Sequence, residues 1–422
     1  MNVKKHKIGI VGLGYVGLPL AVEFSSKYNV VGYDIDNKRI TELNASIDKT
    51  LEVDSQLLKN ALGSSLELTS KTTMLKDCNI YIISVPTPID SKKNPNLSYL
   101  KNASKLVGSL IDNNDIVIYE STVYPGCTEE DCVPILEKHS GLTYNKEFFC
   151  GYSPERINPG DKVNTLTNIQ KVTSGSNTKT AEIVDNLYSS IIKAGTFRAS
   201  SIKVAEASKA IENAQRDLNI SFMNELAIIF NKMGLDTNDV LEAAGTKWNF
   251  LNFKPGIVGG HCIGVDPYYL MYKSKELGYD PKVILSGRQV NDNMGNFVGE
   301  LVKNLLNRKS IEVKKANILI LGITFKENCP DIRNSKVIDI YKYLKNEGAN
   351  VSIHDPYANH NEVYAEFNVK LITKFELYDA IVLAVSHNEY KKLDIVNLKK
   401  HKESVVFDVK GFLDRKIVDE RL

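Results

Sequence analysis

Apolar residues fall into short unbroken runs separated by polar or glycine-rich turns, and the runs follow one plan at both ends of the chain. KIGIV at 7–11 leads straight into glycines, and NVVGY follows and stops at Asp34. NIYIISVP (79–86) and DIVIYES (115–121) are two further runs that end in polar loops. Beyond Ala316 the plan returns as ANILILGITFKEN, then ANVSIHDP ending at Asp355, then DAIVLAV (379–385) and SVVFDVKG (404–411). These runs predict strands, and the helical segments between them predict an α/β chain with an approximate internal repeat. From about Lys203 to Met233 there is neither Pro nor Gly, and Gly234 supplies a stop, which predicts one long helix. Its expected apolar stripe is Val204, Ala207, Ile211, Ala214, Leu218, Phe222, Leu226 and Met233, with Lys209, Asn213 and Arg216 on a line across the helix from it. That polar line is either a solvated face or, where another domain covers it, the wall of a site. Linkers are expected near 195–202 and 307–316.

Gly12, Gly14 and Gly17 stand at GxGxxG spacing after the first strand, and Asp34 closes the second. In a dinucleotide fold the first glycine permits the tight turn, the second lets the backbone approach the pyrophosphate, and the third lets the helix pack on the strand; the helix N-terminus faces the phosphates. Strand, glycines, helix, strand and acid arrive in this order, so dinucleotide binding is predicted. Asp34 suits a ribose diol and repels a 2′-phosphate, which favours NAD over NADP. Arg39, about a turn further on, touches either cofactor or sits on a solvated face. Thr87 in VPTP (85–88) and Thr122 in ESTVYPG (120–126) stand at strand ends, where open α/β sheets bind ligands, as cofactor or water contacts or as plain turn residues.

PGIVGGHCIGVDPYY (255–269) crowds glycines around one cysteine, with Asp266 four residues after Cys262. Such a cysteine is either a nucleophile, reactive as its thiolate, or a buried inert residue. His261 reads as a packing or substrate-loop residue rather than its base. The second copy of the strand plan lacks GxGxxG and offers Lys326 and Arg333 instead, which suits a nucleotide diphosphate held by side-chain cations.

Composition narrows the classes. Lys and Arg number 53 against 51 Asp and Glu, so no basic excess points to nucleic acid or an anionic membrane. With 43% hydrophobic residues in 422, the chain is long enough for two or three domains and too apolar to be disordered. Six cysteines without a CxxC or histidines at metal spacing predict neither a zinc site nor a disulfide scaffold, and fit a reducing cytoplasm. The uncharged stretch 8–22 imitates a signal peptide, but its repeated glycines spoil a helical apolar core, and it is shorter than a membrane span.

GLGYVGLPLA (12–21), VPTP, ESTVYPG, SPE (153–155), AEASKAIEN (205–213), GGHCIGVD (259–266) and GITFKENCPDIRNS (322–335) together make the chain similar to the UDP-glucose/UDP-N-acetylmannosamine dehydrogenase family along nearly its whole length. The resemblance implies two Rossmann-like domains joined by a long central helix. It divides the chain into an NAD-binding domain over 1–200, a central helical dimerisation domain over 201–312 and a UDP-sugar-binding domain over 313–422. It implies NAD as cofactor and a homodimer through the long helix, while the cysteine usage, charge balance and short apolar runs lead to the expectation of a cytoplasmic protein with no metal, nucleic-acid or membrane partner. Cys262 would face the sugar C6 carbon, with Lys209, Asn213 and Asp266 around the reacting oxygen and Thr122 with Glu155 around a hydrolytic water. Gly12, Gly14, Tyr15, Val16, Gly17, Asp34 and Arg39 would contact the cofactor, as would Pro86, Thr87, Thr122 and Arg333. The sugar nucleotide would meet Glu155, Arg156, Lys209, Asn213 and Arg216 on one side, and Phe253, Lys254, Gly256, Gly259 and Lys326 on the other.

Two departures point to a branch. The glucose-specific branch carries a Lys immediately before the Asp of the cysteine motif and a second acid four residues after the SPE glutamate, where this chain has Val265 and Pro159. SPERINPGDK (153–162) and KWNFLNFKPGIVGGHCIGVDPYYL (247–270) instead resemble the branch acting on UDP-N-acetylhexosamines for surface polysaccharides, with UDP-N-acetylglucosamine or UDP-N-acetylgalactosamine as the expected substrate. UDP-N-acetylmannosamine or UDP-glucose is the alternative within the family. Outside it stand a two-electron β-hydroxyacid dehydrogenase, which needs neither the cysteine nor a second nucleotide domain, and a non-catalytic NAD-binding protein.

Overall fold

The structure, a computed structural model, describes residues 6–157, 163–260 and 263–422. Two compact units make up the chain: residues up to Glu212 with Tyr268–Tyr279, and Asn213–Pro267 with Asp280–Leu422.

In the first unit, β1 (Lys7–Val11), β2 (Asn29–Tyr33), β3 (Leu66–Thr69), β4 (Ile80–Ile83), β5 (Ile116–Tyr119) and β6 (Phe149–Tyr152) form one sheet in the order β3-β2-β1-β4-β5-β6. Every neighbouring pair is parallel. The strands are apolar throughout because both faces are covered: β4 and β5 are buried at all four positions, within a core that includes Ile8, Leu18, Phe24, Ile82 and Val184. Strand order reverses between β1 and β4, which opens a crevice at their carboxyl ends. A separate two-stranded ladder pairs β7 (Lys171–Thr173) with β8 (Thr196–Arg198).

The second unit repeats the scheme with β9 (Asn317–Leu321), β10 (Asn350–His354), β11 (Ala380–Leu383), β12 (Val405–Asp408) and β13 (Glu420–Arg421), all parallel in the order β10-β9-β11-β12-β13. The echo extends to single atoms. Gly12 donates its N–H to Tyr33 O and Gly322 donates to His354 O, both at 2.8 Å, and both glycines have φ above +90°. No side chain fits at either: a Cβ would lie 2.9 Å from Ser84 O at Gly12 and 2.4 Å from the Val385 Cβ at Gly322.

The predicted long helix runs Ile202–Met233, and Gly234 ends it at φ +70°. Its stripe is a correction. Val204, Ile211, Phe222 and Met233 are exposed, Ala207, Leu218 and Leu226 are half-buried, and Ala214 alone of the eight is buried. The buried side of the helix carries Glu206, Lys209, Asn213, Asp217, Ser221 and Asn224, a polar set that amphipathic reasoning assigns to solvent. Lys209 and Asn213 thus belong to a covered face, whereas Arg216 is exposed.

A second long helix, Lys282–Arg308, went unanticipated because Gly287, Gly295 and Gly299 read as breaks. They mark close packing instead: a Cβ would lie 2.6 Å from Leu218, 2.7 Å from Asp339 and 2.7 Å from Tyr343, respectively. The two long helices share a buried polar network. Arg288 donates to Asp217 at 2.6 Å, Asn291 donates to the same carboxylate at 2.7 Å, and Asn224 donates to Asn291 at 2.7 Å. Removing one partner of a buried pair leaves an uncompensated charge, so Asp217→Ala is expected to lower unfolding free energy by about 3 kcal/mol, the low end of such losses because Asp292 still faces Arg288. Urea denaturation checks this; an unchanged midpoint would show that the network carries no stability.

Candidate active site

The glycine turn after β1 forms an open cradle. A Cβ on Gly17 would lie 1.8 Å from Gly12 O, so the helix Gly17–Ser25 can approach the turn only without a side chain there. At Gly14, by contrast, nothing lies within 4 Å, and Gly14 is exposed with Tyr15 and Val16 half-buried beside it. A phosphate can reach the backbone here, which is the fit a dinucleotide requires.

Asp34 has two tasks. Its Oδ2 accepts from Leu13 N at 2.8 Å and its Oδ1 from Asp36 N at 3.0 Å, which ties the cradle to the end of β2. The carboxylate remains half-exposed, so a ribose diol can still reach it. Arg39 is drawn away from solvent: Nε donates to Leu13 O at 3.0 Å and Nη1 pairs with Asp48 at 2.9 Å, while Nη2 is buried without a hydrogen bond among the described residues. At the ends of β4 and β5, Ser121 Oγ donates to Val85 O at 2.7 Å, fastening the VPTP loop to the ESTVYPG loop. Pro86 is exposed, and Thr87 and Thr122 are half-buried.

Glu155 lies in a network that sequence reasoning missed. Its Oε1 accepts from the amides of Arg156 and Ile157 at 2.6 and 2.7 Å, and its Oε2 pairs with Lys171 at 2.9 Å. Lys171 also meets Glu120 at 2.7 Å, and Tyr188 donates to the other oxygen of Glu120. Burial pushes Glu120 up to about 7, against the pull of Lys171. Burial would lower Lys171, but the two carboxylates outweigh it and leave it raised. No periodicity marks Lys171, since a lone lysine in KVT reads as a strand end. Arg156 pairs with Glu212 at 2.8 Å and donates to Gln170 O at 3.0 Å. Glu206, a second missed acid, accepts from Gly126 and Thr128 amides and is pushed by burial to about 7.

Lys209 and Asn213 stand one turn apart on the long helix, both buried, and Asn213 donates to Asp266, the buried first residue of the helix Asp266–Glu276. His261, Cys262 and Pro159 lie outside the described residues.

The glycine segment before Cys262 is pressed against the GITFKENCPDIRNS loop. A Cβ on Gly259 would meet Asn334 O at 2.8 Å, one on Gly260 would meet the Phe325 ring at 2.7 Å, and Asn334 donates to Gly260 O at 3.2 Å. Gly256 is held from the other side, exchanging two hydrogen bonds with the Asn224 side chain at 2.8 and 3.0 Å. Between these segments a cleft is lined by Ile257, Gly259, Thr324, Lys326, Lys336 and Lys410. Burial lowers Lys410, a cation that the sequence left unassigned within DVKG. Phe253 is half-buried, Lys254 is exposed, and Arg333 is exposed with its guanidinium on Asp331.

Asp355 holds the Lys326 loop from below. It accepts from Ile323 and Thr324 amides at 2.7 and 3.1 Å, from Tyr357 and Ala358 amides, and from His387 Nε2 at 3.0 Å. His387 Nδ1 accepts from Asn328 N at 3.0 Å, which assigns its proton to Nε2. Unlike Asp34, Asp355 is saturated and buried, so no ribose can use it.

Three domain models of the UDP-glucose/GDP-mannose dehydrogenase family match the chain: the NAD binding domain over residues 6–192, the central domain over 203–293 and the UDP binding domain over 319–415. The chain belongs to that family. It is 55% identical over 425 residues to a UDP-N-acetyl-D-glucosamine 6-dehydrogenase of Pseudomonas aeruginosa and 54% identical over 426 residues to one of Salmonella typhi, each covering 100% of both sequences. Among solved structures, a UDP-D-ManNAc dehydrogenase of Pyrococcus horikoshii matches with a TM-score of 0.89 at 31% identity over 98% of each chain. NAD is therefore the cofactor the first domain takes. No helix among the described residues is long and apolar enough to cross a membrane.

Burial alone would raise the Asp355 carboxyl, but the His387 hydrogen bond and the amides outweigh it and hold it at about 2. A carboxyl depressed below its unfolded value of about 3.9 stabilises the fold above that pH and loses the contribution as pH falls toward 2. Asp355→Asn is expected to cost about 2 kcal/mol at pH 7 and to flatten the stability profile between about pH 4 and 2. Denaturation across a pH series checks this, and a variant keeping the wild-type acid slope would assign that slope to another carboxyl.

Proposed function

We propose that this protein oxidises the C6 hydroxyl of a UDP-N-acetylhexosamine, UDP-N-acetylglucosamine or UDP-N-acetylgalactosamine, to the carboxylate, for surface polysaccharide synthesis in the cytoplasm. The observation that carries the reading is the full-length identity to two UDP-N-acetyl-D-glucosamine 6-dehydrogenases, on a chain whose cationic cleft adjoins the glycine segment leading to Cys262. Lys326 and Lys410, with no bare backbone cradle at Gly322, suit the diphosphate of the sugar nucleotide.

Oxidising an alcohol to an acid removes two hydrides, and NAD, when bound, supplies the acceptor for each. An aldehyde cannot surrender its remaining hydrogen as hydride until it becomes tetrahedral. Cys262 thiolate adds to it, giving a thiohemiacetal; loss of the second hydride and the hydroxyl proton leaves a thioester, and water releases acid and thiol. Lys209 and Asn213, with Asp266 fixing the Asn213 amide, stabilise the developing oxyanion, a contribution of roughly 3–4 kcal/mol per well-placed donor. Glu155, with Thr122, takes the proton of the hydrolytic water. Arg156 or Lys254 recognises the N-acetyl group, and Arg216, Phe253, Gly256 and Gly259 line the sugar's side of the site. Arg39, Tyr15, Val16, Pro86, Thr87 and Arg333 complete the cofactor contacts.

A second copy of the chain is the proposed protein partner. Val204, Ile211, Phe222, Ile229 and Met233 are exposed, and at about 100° per residue they fall on one line of the long helix. An apolar line of this length on a helix is the seam that a second helix covers. Phe222→Glu is expected to convert the dimer to monomer in analytical ultracentrifugation; an unchanged sedimentation coefficient would place the interface elsewhere.

The activity is tested with UDP-GlcNAc, UDP-GalNAc, UDP-ManNAc and UDP-glucose under identical conditions, counting NADH per sugar. Two NADH per N-acetylated sugar are expected, with UDP-glucose poorer by a factor that can reach about 10⁴, because a site built to hydrogen-bond an amide leaves buried polar groups unpaired without it. Equal turnover of UDP-glucose would overturn the branch, and one NADH per sugar would overturn the four-electron reaction. Cys262→Ser should bind both ligands without net acid formation.

A further inference from the structure

Lys171, Glu120 and Tyr188 are buried ionisable groups with no part in the chemistry above. They surround the one carboxylate to which the proposed function assigns hydrolysis. Four elements meet there: the end of β5 brings Glu120, the segment after β6 brings Glu155, β7 brings Lys171, and the helix Thr178–Ser189 brings Tyr188. Lys171 is 2% exposed, Glu120 2%, Tyr188 0% and Glu155 7%, so the cluster sits out of water and Glu155 is its outermost acid. The groups acting on Glu120 are Lys171, Glu155 and Tyr188, and those acting on Lys171 are the two glutamates. Glu120 and Glu155 also act on Tyr188, which hydrogen-bonds Ser153, and the Lys171 ammonium lies 5.4 Å from the Tyr188 ring centroid.

Two carboxylates and one ammonium leave a net negative charge in a dry site. Well-packed apolar residues often replace such buried ionic clusters without loss of stability, so the charges call for another use. We propose that Glu120 controls the water-activating step at Glu155 through the Lys171 ammonium that the two carboxylates share, making Glu120 a positioning residue for release of the acid product. This rests on the thioester reading. When Glu120 is protonated, the Lys171 ammonium pairs with Glu155 alone. When Glu120 is ionised, the ammonium is divided between the two carboxylates and a like charge stands behind it, which favours proton transfer out of the hydrolytic water. Burial places that changeover at about 7, within the working range of an enzyme. The hydride steps do not involve Glu155 and are unaffected.

The test uses full-length enzyme with NAD and UDP-GlcNAc, following the acyl adduct on Cys262 by quenched intact-mass measurement and NADH by absorbance from pH 5.5 to 8.5. Wild-type adduct decay is expected to rise about five- to tenfold as pH passes 7. Glu120→Gln should give the same initial NADH burst with adduct decay flat at the low-pH rate. Tyr188→Phe removes a donor that favours ionised Glu120 and should move the rise to higher pH. Decay in Glu120→Gln that keeps the wild-type rise overturns the tuning, and so does an unmoved rise in Tyr188→Phe if the glutamine variant does not fold. Two NADH per sugar with no adduct in any variant overturns the thioester route and the tuning with it.

Discussion

Each sheet depends on one carboxylate at the end of its second strand. Asp34 and Asp355 accept the amide that follows the left-handed glycine of the first turn, Leu13 N at 2.8 Å and Ile323 N at 2.7 Å. A tight turn strips backbone amides of strand partners, and a buried amide left without an acceptor is costly. The acid supplies the acceptor, and the turn, the helix after it and every ligand contact on the turn follow from that bond. The two copies then diverge. Asp34 keeps exposure beside an open Gly14 cradle, while Asp355 spends its capacity on four amides and His387. One constraint therefore serves a dinucleotide-binding turn in the first sheet and a side-chain-lined cleft in the second.

The polar networks explain why the glycine segment near Cys262 has a defined path. A run of glycines has little side-chain packing to order it, and its backbone freedom is expensive to lose. Asn224 grips Gly256 at both N–H and C=O, Asn334 holds Gly260, and the Phe325 ring occupies the space a side chain would need. Asn224 is itself fixed through Asn291 and Asp217 to Arg288. The order of the segment is thus carried by residues on two helices and one loop, none of which neighbours it in sequence.

Much of the fold was legible in the chain. The apolar runs at 7–11, 29–33, 79–86, 115–121 and in the last third became parallel strands because doubly covered strands must be apolar on both faces. What escaped was short or disguised: β3 and β6 are four residues each, β13 is two, and the Lys282–Arg308 helix hides behind three packing glycines. For the candidate site, motif residues such as Gly17, Asp34, Asn213 and Asp266 were legible, whereas Lys171, Glu120, Glu206 and Lys410 were not. These four gain meaning only from what surrounds them, since charge in a sequence reads as solvated surface.

By itself the sequence determined where the chain turns tightly, which stretches form strands, and which cofactor chemistry the first turn can accept, because these rest on local sterics and on residues within one βαβ unit. Tertiary structure alone decided which face of the Ile202–Met233 helix is covered. Periodicity marked Val204, Ile211, Phe222 and Met233 as the helix's apolar stripe, yet they are exposed, and Lys209, Asn213 and Asp217 lie inside. Burial is a property of neighbours, and a polar face can be covered wherever distant segments bring it donors and counter-charges, as Arg288 and Asn291 do for Asp217.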